Sequence, residues 1–381
     1  MGEAIAWIII GSVSAVLLLG LMLVGCSYIT CRPSRAVSDS EKSSTSFNKG
    51  QPEQNGCEQL VHFEGGEGLT VDDILNASGE VLGKSSYGTV YKARLQRNGG
   101  MIALRLFRDG CIRRSEEFVS GIQELGLIRH SHLLVMQAFY AGPSGENLVI
   151  YDYIARGNLE QLLYNRNRAA PGWSKLHRIA LGAARGLAYL HSGLQTPIIH
   201  GNLKTKNILI DENYEAHLSD FGFHELMNQS SKIAMLEASA SQGYLAPEVL
   251  KLKKPNTKSD TYSFGIILLE ILIGRRPDER DSANQIVDLP MVVKNFVLEE
   301  RISELFSPAI LGGGTRSPTE EGLLRVLQLA MGCCAPSPSV RPDMREVVRQ
   351  LEKICPAPLS PTYGFSPQYT SDDRSSREFV L

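Results

Sequence analysis

The sequence has no basic stretch: acidic and basic side chains nearly balance, the formal net charge is -2, and both signs are spread along the chain. Nucleic-acid binding needs a positive field or stripe, so that class is set aside. Cysteine is sparse too. The seven cysteines (26, 31, 57, 111, 333, 334 and 355) fall at irregular spacing, with no repeated CxxC pair and no histidines at zinc-finger distances. That excludes a zinc scaffold and leaves no disulfide framework. Cys333 and Cys334 read as reduced packing residues in an apolar stretch, and Cys26 and Cys31 as palmitoylation candidates. With 43% hydrophobic residues, the chain can bury a sizeable core and is not a disordered protein.

Charge is missing altogether between Ala4 and Cys31. As a helix this run would reach about 42 Å, against a hydrocarbon core of about 30 Å, so a membrane span over 4–31 is expected. Glu3 precedes it, while Arg32 and Arg35 follow. The positive-inside rule therefore puts residues 1–3 outside and the remainder in the cytosol, with the plasma membrane the expected location. No basic n-region is present, which argues against a cleaved signal peptide. Ala6 occupies the position where myristoylation wants Ser or Thr.

Residues 32–68 are rich in Ser, Gly, Glu and Gln without periodicity and read as a disordered juxtamembrane linker. Residues 355–381 read as a disordered tail with Ser-Pro phosphosites at Ser360 and Ser366. Between them, 69–354 forms one body. Short β-rich runs come first ("EVLGKSSYGTVYKARL", "MIALRLF", "ENLVIYDYI"), with one helical segment, "SEEFVSGIQELGLIRH", among them. Helices dominate from Trp173 onward. In "WSKLHRIALGAARGLAYLHSG", Leu176, Ile179, Ala180, Ala183, Leu187 and Leu190 share one helical face. The expected fold is α+β: a small β-rich lobe to about residue 153, a helical lobe from about 158, and a cleft at their join.

Several phosphate-handling signals, each modest alone, occur in a telling order: "LGKSSYGTVYKA", "IALR", "HGNLKTKN", "SDFG", "GYLAPE", "SDTYSFG" and Arg341 in "SVRPDM". That succession resembles the eukaryotic protein kinase domain. The wording of "IIHGNLKTKN" and "EEGLLRVLQLAMGCCAPSPSVRPDMREVVRQLE" is similar to plant leucine-rich-repeat receptor-like kinases, in particular to their atypical, kinase-like transmembrane members regarded as inactive. No leucine-rich repeats are present in this chain.

The resemblance implies a bilobal fold and roles for individual residues. Leu82, Gly83, Gly88, Val90, Ala103, Arg105, Tyr151, Asn207 and Asp220 match nucleotide-binding positions, with Asn207 and Asp220 as magnesium ligands. Lys204 matches the lysine that neutralises the transferred phosphate. Glu248 and Arg341 match a buried ion pair, and Asp260 an aspartate that holds the catalytic loop. Departures are equally specific. Ser85 replaces the second glycine of the loop, where a side chain intrudes on phosphate. Arg105 replaces a lysine, which is not a conservative exchange at a fitted site. Gln123 falls, by family spacing, where that lysine has a glutamate partner; Glu124 restores a partner only if the register slips by one. Asn202 replaces the aspartate that accepts the substrate proton, and a carboxamide has no usable basicity. Gly201 replaces the arginine that receives a phosphorylated activation loop, so Ser230, Ser231, Ser239 and Ser241 lack that acceptor.

The expectation is a membrane-anchored pseudokinase working as a scaffold or allosteric partner of other receptor-like kinases, with ATP and magnesium binding weak or absent. The alternative is a weakly active serine/threonine kinase. With so few residues outside the membrane, direct sensing of an extracellular ligand is not expected.

Overall fold

The computed structural model describes residues 58–165, 171–280, 286–311 and 320–354. The expected membrane span 4–31, most of the linker and the tail 355–381 lie outside the described residues. Among the described residues, no helix is long and apolar enough to cross a membrane.

In chain order the elements are β1 (Gln59–His62), α1 (Val71–Leu75), β2 (Ser78–Lys84), β3 (Gly88–Arg94), β4 (Met101–Phe107), α2 (Ser115–Gly126), β5 (Met136–Ala141) and β6 (Asn147–Asp152). Then follow α3 (Leu159–Tyr164), α4 (Trp173–Ser192), β7 (Ile208–Ile210), β8 (Ala216–Leu218), α5 (Phe223–Leu226), α6 (Gln229–Ser241) and α7 (Pro247–Leu252). The last are α8 (Thr257–Ile273), α9 (Leu289–Leu298), α10 (Pro308–Leu311), α11 (Glu320–Cys333) and α12 (Met344–Ile354).

The first lobe is an antiparallel sheet in the order β1-β5-β6-β4-β3-β2. Successive side chains of a strand point to opposite faces. In β4 this sends Ile102 and Leu104 into a small core under α1, with Leu69 and Ile74. It sends Ala103, Arg105 and Phe107 the other way, and Phe107 meets Phe118 of α2 edge to face at 5.1 Å. The folded body begins earlier than residue 69. β1 pairs with β5, Gln59 opposite Ala141, and Phe63 is buried, so the last part of the expected linker belongs to the sheet.

Helix α4 buries all six residues assigned to its apolar face. Helix α8 is apolar on nearly every side and runs through the core of the second lobe, as such a helix must. Asn256 starts it with a capping box to Ser259, and Gly274 ends it at φ 71°.

Near the end of α8, Glu270 is buried and accepts from Tyr244 Oη (2.6 Å) and Tyr164 Oη (3.0 Å). Burial pushes its carboxyl up to about 7, against the opposing hydrogen bonds from the two tyrosines. The folded value lies above the unfolded one, so the native state holds the proton better. This contribution is complete below about pH 4.5 and is lost as pH rises through about 7. Between about pH 5 and about pH 8, wild type should therefore lose up to about 3 kcal/mol more stability than Glu270→Gln, read by urea unfolding. Identical pH profiles for the two proteins would refute this assignment.

Candidate functional site

The loop 200–207 is hung on the first turn of α8. Asp260 accepts from the backbone of His200 (2.7 Å) and Gly201 (2.9 Å) and bonds His191 Nε2 at 2.9 Å. Burial raises its pKa, but the bond to His191 and the other donors win and hold it below the ordinary value. Gly201 sits at φ 74°, and a β-carbon there would lie 2.3 Å from His224 Nδ1. The space an arginine side chain would enter is filled by the His224 ring. Asn202 is buried; its Nδ2 reaches Tyr87 Oη at 3.4 Å, and its Oδ1 has no hydrogen-bond partner among the described residues. Asn207 Nδ2 donates to the Asn202 carbonyl at 2.9 Å. Lys204 donates to Gln242 at 3.2 Å, beyond the end of α6, and burial draws its pKa down to about 8.

Above this loop, the turn between β2 and β3 is a tight hairpin. Ser85 N donates to the Gly88 carbonyl at 2.8 Å, and Arg108 holds the tip from beyond β4 through Nη2 to Ser85 O (3.2 Å). Gly88 is needed for packing: a β-carbon would lie 2.3 Å from the Leu106 carbonyl oxygen, whereas Gly83 faces open space. The hairpin points Tyr87 down into the cleft, where its hydroxyl donates to Asp220 Oδ2 at 2.7 Å. Arg105 joins them. Its Nη2 donates to Oδ2 at 2.8 Å and lies 2.7 Å from Oδ1. The guanidinium also stands 5.4 Å from the Tyr87 ring centroid.

All three residues are below a tenth exposed: Arg105 8%, Tyr87 3% and Asp220 4%. Burial works against the Arg105 charge, but the Asp220 carboxylate, with smaller contributions from Tyr87 and Tyr151, offsets it and the arginine pKa is raised. Burial likewise drives the Tyr87 hydroxyl up, with Asp220 adding to it, so the tyrosine stays a neutral donor. Asp220 is held at φ 62°, a region that non-glycine residues enter at a cost.

Helix α2 offers Arg105 no carboxylate. Phe118, Ile122 and Leu125 point inward, while Gln123 and Glu124 are both exposed. Neither the expected position nor the register slip supplies a partner. The residue facing the segment after Asp220 is Gly121, where a β-carbon would lie 2.3 Å from Leu226 Cδ2. Helix α5, carrying Phe223 and Leu226, is wedged where a reaching side chain would pass. Gln123 is thus corrected to a surface residue.

In the second lobe, Arg341 and Glu248 form two parallel bonds (2.7 and 2.9 Å). The arginine also donates to the carbonyls of Ala335 (2.7 Å) and Lys258 (2.9 Å). A family model for protein tyrosine and serine/threonine kinases matches residues 77–351, the two lobes together. The chain belongs to that kinase family.

Among curated kinase-family proteins, Arabidopsis thaliana kinase-like protein TMKL1 is 46% identical over 97% of this chain and 55% of its own length. RLK902 of the same plant, whose name calls it an inactive receptor kinase, is 36% identical over 79% of this chain and 46% of its own. The chain thus spans about half the length of these relatives. Among solved kinase structures, the maize SIRK1 kinase domain bound to AMP-PNP superposes with a TM-score of 0.70 at 32% identity, covering 78% of this chain and 99% of that one. The pseudokinase domain of BIR2, an immune regulator, gives 0.64 at 29% identity, covering 79% and 91%. The architecture is the bilobal protein kinase fold, and the relatives are plant receptor-like kinases.

The kinase cleft, about 530 Å³, is lined by the nucleotide-position candidates Leu82, Gly83, Val90, Ala103, Arg105, Tyr151, Asn207 and Asp220; Gly88 is absent from its lining. As arranged, the Asp220 carboxylate is engaged by Arg105 and Tyr87, while Asn207 is held through its Nδ2 on the loop carbonyl, which leaves its amide oxygen uncommitted by that bond. Tyr87, Gly121 and His224 were missed in the sequence. Each left a signal: an aromatic at a hairpin tip, a glycine inside a helix, and a histidine beside a loop that has lost its large side chain.

Proposed function

We propose that this chain is a membrane-anchored pseudokinase, acting through its folded surface as a scaffold or allosteric partner of active receptor kinases. The observation that carries the reading is the buried Tyr87–Asp220–Arg105 cluster. It takes up the carboxylate and the cation that a phosphoryl-transfer site would turn toward metal and phosphate. Asn202 adds to it, since loss of a general base typically costs about 10² to 10⁴ in rate. Relatives named as inactive or as a pseudokinase support the same view. The membrane anchor rests on the uncharged run 4–31, with the kinase-like body in the cytosol. The second reading, a weakly active serine/threonine kinase, draws on the retained Lys204 and Asn207 and on the likeness to SIRK1, solved with AMP-PNP.

Radiolabel transfer from ATP to the purified full-length chain and to generic protein substrates tests the proposal. Incorporation should not exceed that of an Asp220→Asn control. Asn202→Asp alone should not create activity, because Arg105 and Tyr87 would still hold Asp220. Turnover in wild type that the control abolishes would establish the kinase reading instead.

A further inference from the structure

The corner between α7 and α8 projects from the second lobe carrying side chains that water does not favour. Leu252 is 70% exposed and Leu250 is exposed two residues before it, with Lys251 and Lys254 exposed beside them and Lys253 partly buried. The projection is firmly held. Lys253 closes α7 in the left-handed region at φ 52°, its N–H donating to the Val249 carbonyl at 2.8 Å. Pro255 is buried, Asn256 caps α8, and Lys258 Nζ donates to the Arg341 carbonyl at 2.6 Å. A rigid corner that keeps leucines in water marks a contact surface.

Charge decides what that contact is. Between Pro247 and Lys258 the sequence has four lysines and one acid, Glu248, and Glu248 is already taken by Arg341. Lys251, Lys253 and Lys254 have no ion-pair partner among the described residues, so three cations flank the two leucines. The imbalance is local, in a chain whose charges otherwise nearly cancel. Other exposed apolar side chains lack this setting: Leu298 runs into Glu299 and Glu300, and Leu75 follows Asp72 and Asp73. An anionic leaflet would repel those places and attract the α7–α8 corner. Leucines that enter the acyl boundary while lysine heads stay at the phosphates are the usual means of interfacial binding.

We propose that this corner docks on an anionic lipid bilayer, Leu250 and Leu252 entering the boundary between headgroups and acyl chains and Lys251, Lys253 and Lys254 meeting the lipid phosphates. The inference rests on the membrane anchor proposed above and adds the face that the body turns to the bilayer. Residues 32–57 reach at most about 90 Å, so an anchored body meets the leaflet at high effective concentration, and weak contacts suffice. Each lysine near an anionic surface is worth about fivefold in binding. A body docked at one corner presents the rest of its surface in a fixed orientation, which is what a scaffold needs.

Amine acylation of the full-length chain in lipid nanodiscs, read at each lysine by mass spectrometry, tests it. In discs of phosphatidylcholine mixed with phosphatidylserine, Lys251 and Lys254 should react about fivefold more slowly than in phosphatidylcholine alone, while Lys84 of the first lobe should not change. Salt at about 1 M, where screening shortens to about 3 Å, should abolish the difference. Leu252→Ser, checked for an intact melting transition, should weaken the protection. Fast reaction at the corner in both kinds of disc would overturn the proposal. Slow reaction in both would make a second copy of the chain the occupant, and protection by soluble glycerophosphoserine would mean headgroup binding without insertion; either overturns it as well. Retention of the chain in the discs at high salt reads the anchor by itself. A chain retained but unprotected sinks the docking alone, whereas a chain washed out sinks the anchor together with the docking that rests on it.

Discussion

Arg341→Ala should cost about 3 to 5 kcal/mol of stability, the usual penalty for stranding one member of a buried ion pair. That is a large part of a typical domain stability of about 5 to 15 kcal/mol. The arginine is 2% exposed and bonds Glu248 with both Nη atoms. Its remaining donors hold the carbonyls of Ala335, Lys258 and Pro336, so its loss frees three segments of the second lobe together. Denaturant unfolding of the full-length chain reads the cost, and a loss under about 1 kcal/mol would show that the pair is not structural.

The functional consequence follows if the folded surface is what acts. In a complementation assay at matched protein levels, Arg341→Ala should abolish cellular activity and Asn202→Ala should leave it largely intact, since Asn202 makes only a long contact to Tyr87 at 3.4 Å. Asp220→Ala is a poor companion, because it would strand the buried Arg105 charge and lower stability for reasons unrelated to chemistry. If Asn202→Ala proves as damaging as Arg341→Ala while the protein stays folded, the scaffold reading fails.

The sequence carried the fold because kinase elements depend on local pattern. β4 is the quoted "MIALRLF", and α11 is "EEGLLRVLQLAMGC", the opening of the quoted C-terminal stretch. It carried the ion pair and the Asp260 anchor through resemblance to family motifs. It did not reveal β1, since four residues at a sheet edge with mixed exposure have too little periodicity to stand out from a polar linker. The arrangement of the cleft was hidden for a different reason. Asp220 bonds residues more than a hundred positions away, and no spacing rule encodes that a buried arginine will close onto it. Gln123 was misplaced because a family spacing fixes a helical face only if the count is right, and one residue is about 100° of rotation. The inward positions Phe118, Ile122 and Leu125 fall three or four apart, which leaves Gln123 outside.

Gly201 shows why reverting residues one at a time should not rebuild a kinase here. Its φ of 74° and the His224 ring 2.3 Å from a would-be β-carbon make two separate demands on any side chain. The left-handed backbone costs an L-residue about 1 to 2 kcal/mol, and overpacking a closed interior adds about 1 to 3 kcal/mol. Gly201→Ala should therefore destabilise the protein by about 2 to 5 kcal/mol in denaturant unfolding. His224 is 1% exposed and cannot swing into solvent without opening the loop. His224→Ala makes the missing room, so in the double variant the overpacking disappears and only the backbone cost remains. The two substitutions should then couple by about 1 to 3 kcal/mol, the range for residues in direct contact. Additive losses would mean that His224 does not fill the arginine's place, and an arginine at 201 could then be accommodated. Strong coupling would mean that the loop has been repacked as a unit, so that putting an arginine back meets a ring where the family has space.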